Sequence, residues 1–313
     1  MKSCWDDAAR HVPSELFWLA DPLVRAAVNR RVTGDPGLWP IPWFARRVRD
    51  RLPFARALSV GCGAGALERG LVREGVVDRI VGVDAALAPL AEARRAATEA
   101  GAGRRIAYVA GDAEDLLEAP ARWDAVFFHG ALHHFRDVAG TLARVRRGLK
   151  PGGLLYLDEY VGRSRGAWRP WHLLAANLAY RLLPRGVRRT RIVRSPVTDE
   201  DPTEQVDAGS IRAAVAEHFV ELERREYGGN LLLLVFPSLR RPGPGGPSPE
   251  VLARAVRRLI ALEDRLLRWS RPERSFHAVV WAEPRRAPAA ASAAAATSVA
   301  SEIAPPVRDP GGA

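Results

Sequence analysis

Ala57-Leu58-Ser59-Val60-Gly61-Cys62-Gly63-Ala64-Gly65-Ala66-Leu67-Glu68-Arg69-Gly70-Leu71 is the stretch on which the fold turns. Ala57 to Val60 is a short apolar run, the pattern of a parallel strand buried on both faces. Glycines at 61, 63 and 65 follow, and a helical pattern begins near Ala66. A strand that turns through glycines into a helix leaves the first N–H groups of that helix bare. It also lets a ligand lie against main chain with no Cβ in the way.

The same rhythm continues downstream. Strand 57–60 and helix 66–75 are followed by strand 79–83, helix 86–101, strand 105–109, a short helix or loop at 113–120, strand 123–129, helix 137–149 and strand 154–160. Strands alternating with helices across short turns imply a parallel sheet covered on both faces, with right-handed crossovers. Residues 161–203 break the alternation with an apolar helix and a basic stretch. An insertion at the carboxyl end of a sheet strand lies where open α/β sheets bind ligands, so a lid is expected there. A helix at 207–219, a strand at 220–227, a long amphipathic helix at 250–269 and a final strand at 276–283 complete the pattern. Residues 1–55 read as an N-terminal helical cap, interrupted by prolines and rich in tryptophan. The segment 284–313, alanine- and proline-rich, reads as disordered.

The glycine turn alone would also fit a nicotinamide-dependent oxidoreductase, because Gly61-x-Gly63-x-x-Ala66 passes as a dinucleotide fingerprint with Asp84 at a suitable distance. The later strand tips discriminate. Asp84 closes the second strand, where a carboxylate can accept from two ribose hydroxyls. Gly111-Asp112-Ala113 closes the third, where the carboxylate can accept from an adenine amino group and the next N–H can donate to the ring. An acid after a strand can equally cap the following helix. Asp124 to Phe135, containing His129, His133 and His134, forms the fourth strand and its loop. Lys150-Pro151-Gly152-Gly153 precedes the fifth.

Over roughly residues 55–160 this ordered set resembles the class I S-adenosylmethionine-dependent methyltransferases. The resemblance implies a Rossmann-like, doubly wound sheet of seven strands with the last one antiparallel. It implies S-adenosyl-L-methionine as cofactor: Gly61, Gly63 and Gly65 under the methionine part, Asp84 on the ribose, Asp112 and Ala113 on the adenine, and His129 near the sulfonium. Asn29 to Pro36, Asp158-Glu159-Tyr160-Val161-Gly162 and Asp201-Pro202-Thr203-Glu204 are similar to a bacterial subgroup whose substrates are mostly unassigned, some of it associated with glycans or secondary metabolites. That subgroup often has proline after the Val-Gly pair, where this chain has Arg163.

A sulfonium methyl is already electrophilic, so a base is needed only for a hydroxyl or protonated amine acceptor. His133, Glu159 and His134 are the candidates. No metal is expected: neighbours on a helix point about 100° apart, which keeps adjacent histidines from sharing one ion. The expected acceptor is a small or medium organic molecule or a glycan. A non-catalytic, nucleic-acid-associated protein of the same fold is the remaining alternative.

Net charge is +11, nearly all from arginine. An anionic partner would explain it, and so would a base-composition bias toward arginine, alanine and glycine. The even spread of arginines along the chain favours the bias and argues against nucleic acid. Cys4 and Cys62 form no metal spacing, no apolar stretch reaches about 20 residues, and no apolar signal core opens the chain, so a cytoplasmic enzyme is expected.

Overall fold

The computed structural model describes residues 17–118, 120–165, 167, 169–195, 202–268 and 275–285. The readings for residues 1–16, for Asp201 and for the tail beyond Arg285 lie outside these. Seven strands, β1 (Phe54–Val60), β2 (Val77–Asp84), β3 (Ile106–Ala110), β4 (Trp123–His129), β5 (Leu149–Tyr160), β6 (Phe219–Gly228) and β7 (His277–Pro284), form one sheet in the order β3-β2-β1-β4-β5-β7-β6. Pairing is parallel from β3 through β5, and β7 runs antiparallel to both β5 and β6. This is the doubly wound, seven-stranded sheet with an antiparallel last strand that the family resemblance implies.

Alternation along the strands explains the two helical layers. Ala57, Phe127, Tyr156, Val279 and Trp281 share one core, and Leu58, Phe128, Leu157, Val280 and Ala282 the other. Successive side chains point to opposite faces, so continuous apolar strands demand cover on both. The helices are α1 (Pro22–Thr33), α2 (Pro40–Arg47), α3 (Ala66–Arg73), α4 (Leu87–Glu99), α5 (Ala113–Leu117), α6 (Val138–Gly148), α7 (Pro170–Arg181), α8 (Ile211–His218), α9 (Leu232–Val235) and α10 (Pro249–Arg268). Residues from α5, α6 and α8 join the second core, and residues from α1, α2, α3, α7 and α10 the first.

The N-terminal prolines begin helices rather than interrupt them. Pro22 and Pro40 occupy the first turns of α1 and α2, where the missing N–H has no helical partner to lose. Helix α2 therefore starts at Pro40. It drives Phe44 into the sheet against Phe127, Tyr156 and Trp281 at ring distances of 6.2, 4.9 and 5.3 Å. Burying one such ring contributes about 1.5–3 kcal/mol. A second tie holds α1 to α10. The Glu263 carboxylate, fully buried, accepts from Arg31 at 2.7 Å and from the N–H groups of Gly229, Leu231 and Leu232 at 3.1, 2.9 and 3.0 Å. It fixes the turn that follows β6 and, with it, the position of Tyr227.

Candidate active site

The strand tips at the carboxyl edge of the sheet carry the site. Gly61 and Cys62 both donate to the Val83 carbonyl, at 2.9 and 3.1 Å, which bends the chain toward the tip of β2. The Gly63 N–H donates to Asp84 Oδ2 at 2.8 Å, so the second-strand carboxylate and the glycine turn form one unit. Asp84 Oδ1 accepts from Ala86 N at 2.8 Å. Gly111, after β3, donates to the Asp84 carbonyl at 3.0 Å, which seats the next residue, Asp112, at the neighbouring tip. Asp112 Oδ1 caps α5 through Glu114 N at 3.0 Å, and Ala113 is buried beneath it. Helix capping and ligand binding are therefore not exclusive: each carboxylate oxygen has lone pairs beyond its backbone bond.

Two glycines are dictated by geometry. A Cβ on Gly61 would stand 2.5 Å from the Ala131 Cβ, because the loop after β4 closes directly onto the turn. Gly63 has φ +50° and nothing within 4 Å of where its Cβ would lie, so bare backbone faces open space there. Under the turn, Glu68 is fully buried and neither carboxylate oxygen has a hydrogen bond among the described residues. Burial pushes its pKa up, and Ser59 lies close enough to ease this without a well-directed bond.

His129 closes β4. Its side chain is 56% exposed yet flanked by protein, as a group on the wall of an open cleft is. Its Nε2 lies 3.5 Å from Asp158 Oδ2. Desolvation pulls the imidazole pKa down, but the Asp158 bond and charge, backed by Glu159 and Glu68, outweigh it and the net shift is upward. Asp158 also accepts from the Tyr227 hydroxyl at 2.6 Å. Burial opposes its charge, and His129, Tyr227 and Arg25 hold its pKa below the usual carboxylate value.

Glu159 points to the other face of β5 and is fully buried. Its Oε1 accepts from Ala131 N and Leu132 N at 2.6 and 2.8 Å, and its Oε2 meets His133 Nδ1 at 2.8 Å. Desolvation would raise its pKa; these three partners lower it on balance, so the carboxylate is charged. His133 is nearly buried. His134 Nδ1 meets Thr203 Oγ1 at 3.1 Å, and the Nε2 atoms of both histidines lie 3.8 Å from Glu204 Oε2. The adjacent histidines thus converge rather than diverge. They sit in a single 3-10 turn, Leu132–His134, with rings 4.2 Å apart, each held by its Nδ1 partner. The expectation that they could not face a common point is corrected. His133, His134 and Glu204 form the one metal-compatible group among the described residues.

Thr203, at the end of the insertion, and Glu204, the residue after it, arrive at this point. Behind the histidines runs an aromatic wall, Tyr160, His277, Tyr227 and Trp18, with successive ring distances of 5.3, 5.3 and 6.4 Å. His277 is kept neutral, its pKa pushed down to about 4, chiefly by burial.

Comparison with known proteins places this architecture. Residues 58–157 match the family described as "Methyltransferase domain". The ubiquinone biosynthesis O-methyltransferase of Sodalis glossinidius is 32% identical over 178 residues, 56% of this chain and 68% of that one. The chain belongs to the class I S-adenosylmethionine-dependent methyltransferases. The Hahella chejuensis protein of the same description is 34% identical over 139 residues, and the match covers 44% of this methyltransferase and only 56% of that relative. An S-adenosylmethionine-dependent methyltransferase from Mesorhizobium loti superposes with a TM-score of 0.43 at 20% identity, covering 78% of this chain and 98% of that one.

The cofactor of this methyltransferase is S-adenosylmethionine, and the residues present fit it. Open space lies over Gly63, the Asp84 carboxylate is locked to the turn, and Asp112 projects exposed at the neighbouring tip. Four site residues were missed in the sequence: Asp158, Glu204, Thr203 and Tyr227. Period-two alternation could have separated Asp158 from Glu159. Nothing local marks Glu204 or Tyr227, which arrive from distant segments. Among the described residues no helix is long and apolar enough to cross a membrane.

Proposed function

We propose that this methyltransferase transfers a methyl group to a hydroxyl of a small or medium organic acceptor, a phenol or a sugar, with His133 as the base. The observation that carries the proposal is the 2.8 Å contact between His133 Nδ1 and the buried, charged Glu159. A carboxylate there accepts, so Nδ1 carries the proton and Nε2 is the basic atom. Nε2 is turned toward Glu204, just beyond the insertion. The description of the relatives as O-methyltransferases supports a hydroxyl acceptor.

In this reading Asp84 accepts from the ribose hydroxyls, Asp112 and the Ala113 N–H take the adenine edge, and the turn from Gly61 to Gly65 carries the amino-acid tail. When bound, S-adenosylmethionine supplies a methyl already activated by its sulfonium. The chain's own contribution is to hold acceptor oxygen and methyl in line, worth about 7–11 kcal/mol. His133 Nε2 takes the hydroxyl proton as the O–C bond forms, adding roughly 10²–10⁴-fold. Glu159 stabilises the resulting imidazolium and fixes the ring. His129, held by Asp158, lines the cofactor side. The free Cys62 thiol suits work in a reducing cytoplasm.

The test is incubation with methyl-labelled S-adenosylmethionine and panels of phenols and sugars, with products read by mass spectrometry. O-methylated product from the wild type, and a rate at least about a hundredfold lower for His133→Ala at unchanged cofactor affinity, are expected. Exclusive N- or C-methylation, or an unimpaired His133→Ala enzyme, would overturn the assignment.

A further inference from the structure

One stretch of the chain, around α7, is locally rich in arginine and free of acidic residues. Between Val161 and Ser195 the chain has nine arginines and no Asp or Glu. Six of them, Arg169, Arg181, Arg185, Arg189, Arg191 and Arg194, are exposed. None of these six forms an ion pair with a described residue.

Helix α7 itself is apolar on both sides. Its inner side, His172, Ala176, Ala179 and Tyr180, is buried. Its outer side carries Trp171, Leu174 and Leu178, with Leu182 at its C-cap, at 48, 71, 63 and 66% exposure. These positions recur every three or four residues and so form one stripe along about 18 Å of helix. A surface helix ordinarily turns polar residues outward, and an apolar outer face marks a contact that another body completes.

The basic segment is pinned beside the stripe. Asn177 exchanges two bonds with Val193, donating to its carbonyl at 3.0 Å and accepting from its N–H at 2.9 Å. The Tyr180 hydroxyl accepts from Thr190 N at 3.1 Å and donates to the Ser238 carbonyl at 2.8 Å. Ile192, 48% exposed, therefore adds to an apolar strip bordered by arginines on a rigid support.

We infer that this face is a docking surface for an anionic lipid bilayer, with α7 lying in the plane of the interface. The charge complements acidic headgroups, and the leucines and Trp171 enter the boundary with the acyl chains. A nucleic acid would match the arginines but leave five aliphatic and aromatic side chains in water. A second copy of this chain would need roughly 20–30 residues a side for a stable interface, far more than one stripe offers. The surface stands independently of which acceptor atom is methylated.

Vesicle flotation of the full chain tests this. Binding to phosphatidylcholine vesicles containing about one-third phosphatidylglycerol, loss of binding to phosphatidylcholine alone, and weakening by salt are expected. Leu174→Glu with Leu178→Glu should lower binding more than tenfold with an unchanged circular dichroism spectrum, since both residues face outward. Arg181→Ala, Arg185→Ala and Arg191→Ala together should cost about fivefold each. Four results would each overturn the inference: no binding to the acidic vesicles, binding that neither variant changes, a wild-type dimer that the leucine variant splits, or duplex RNA binding without vesicle binding.

Discussion

Glu159→Gln isolates the role of one charge with little change of shape. In the wild type, Oε1 accepts two backbone bonds and Oε2 accepts from His133 Nδ1. Glutamine keeps a single acceptor oxygen. The two loop N–H groups will claim it, since both are buried and otherwise unpaired. The amide NH₂ then faces His133 Nδ1 as a donor, which moves the ring proton to Nε2, the atom that should receive the acceptor's proton. The expected loss in methyl-transfer rate is about 10²–10⁴-fold, with cofactor affinity unchanged. Stability should fall by roughly 1.5–3 kcal/mol, the worth of a hydrogen bond to a charged group. The pH dependence has a definite sign. The folded pKa of Glu159 lies below its ordinary value, so its contribution is present above that ordinary value and is lost as pH falls through the folded one. The variant should lack this acid-side decline. Single-turnover methyl transfer, calorimetric titration of the cofactor and thermal melts across acid pH read the three effects. A variant within twofold of the wild-type rate on a hydroxyl acceptor would refute the oriented-base argument.

Glu263→Gln should destabilise the fold by about 1.5–3 kcal/mol in denaturant titrations, because it removes one of the two carboxylates paired with Arg31 and leaves Asp264 as the other. Glu68→Gln should raise the melting temperature at pH 8 and not at pH 4. The folded pKa of Glu68 is raised, so its stabilising contribution is complete below its unfolded value and lost as pH rises through the folded one. Gly63→Val should abolish cofactor binding in calorimetry, since a branched side chain would enter the open space over the turn from a backbone it tolerates poorly.

The sheet was legible because each apolar strand, glycine stop and helical period agreed with its neighbours. That Asp84, Asp112 and His129 would lie along one edge of the sheet was legible because the tips of parallel strands share an edge. Glu159 was singled out, but its sequence position gave no sign that it would be buried, holding the loop at Ala131 and Leu132 and bracing His133. Thr203 and Glu204 were quoted only as part of a segment, since about 70 residues separate them from the histidines they meet. Tyr227, on β6, reaches Asp158, on β5, across the intervening β7, a topology no local pattern announces. The leucines of α7 carried the spacing of a buried face; that both faces are apolar, and one is uncovered, emerges only from packing.

The most direct test of the account is calorimetric titration of S-adenosylmethionine into the wild type and Asp84→Ala. In the proposed reading Asp84 accepts two nucleoside bonds at about 1.5–3 kcal/mol each, so affinity should fall by roughly a hundredfold or more while the circular dichroism spectrum stays that of a folded protein. Binding by Asp84→Ala within about threefold of the wild type would mean that the nucleoside does not sit at the tips of β2 and β3.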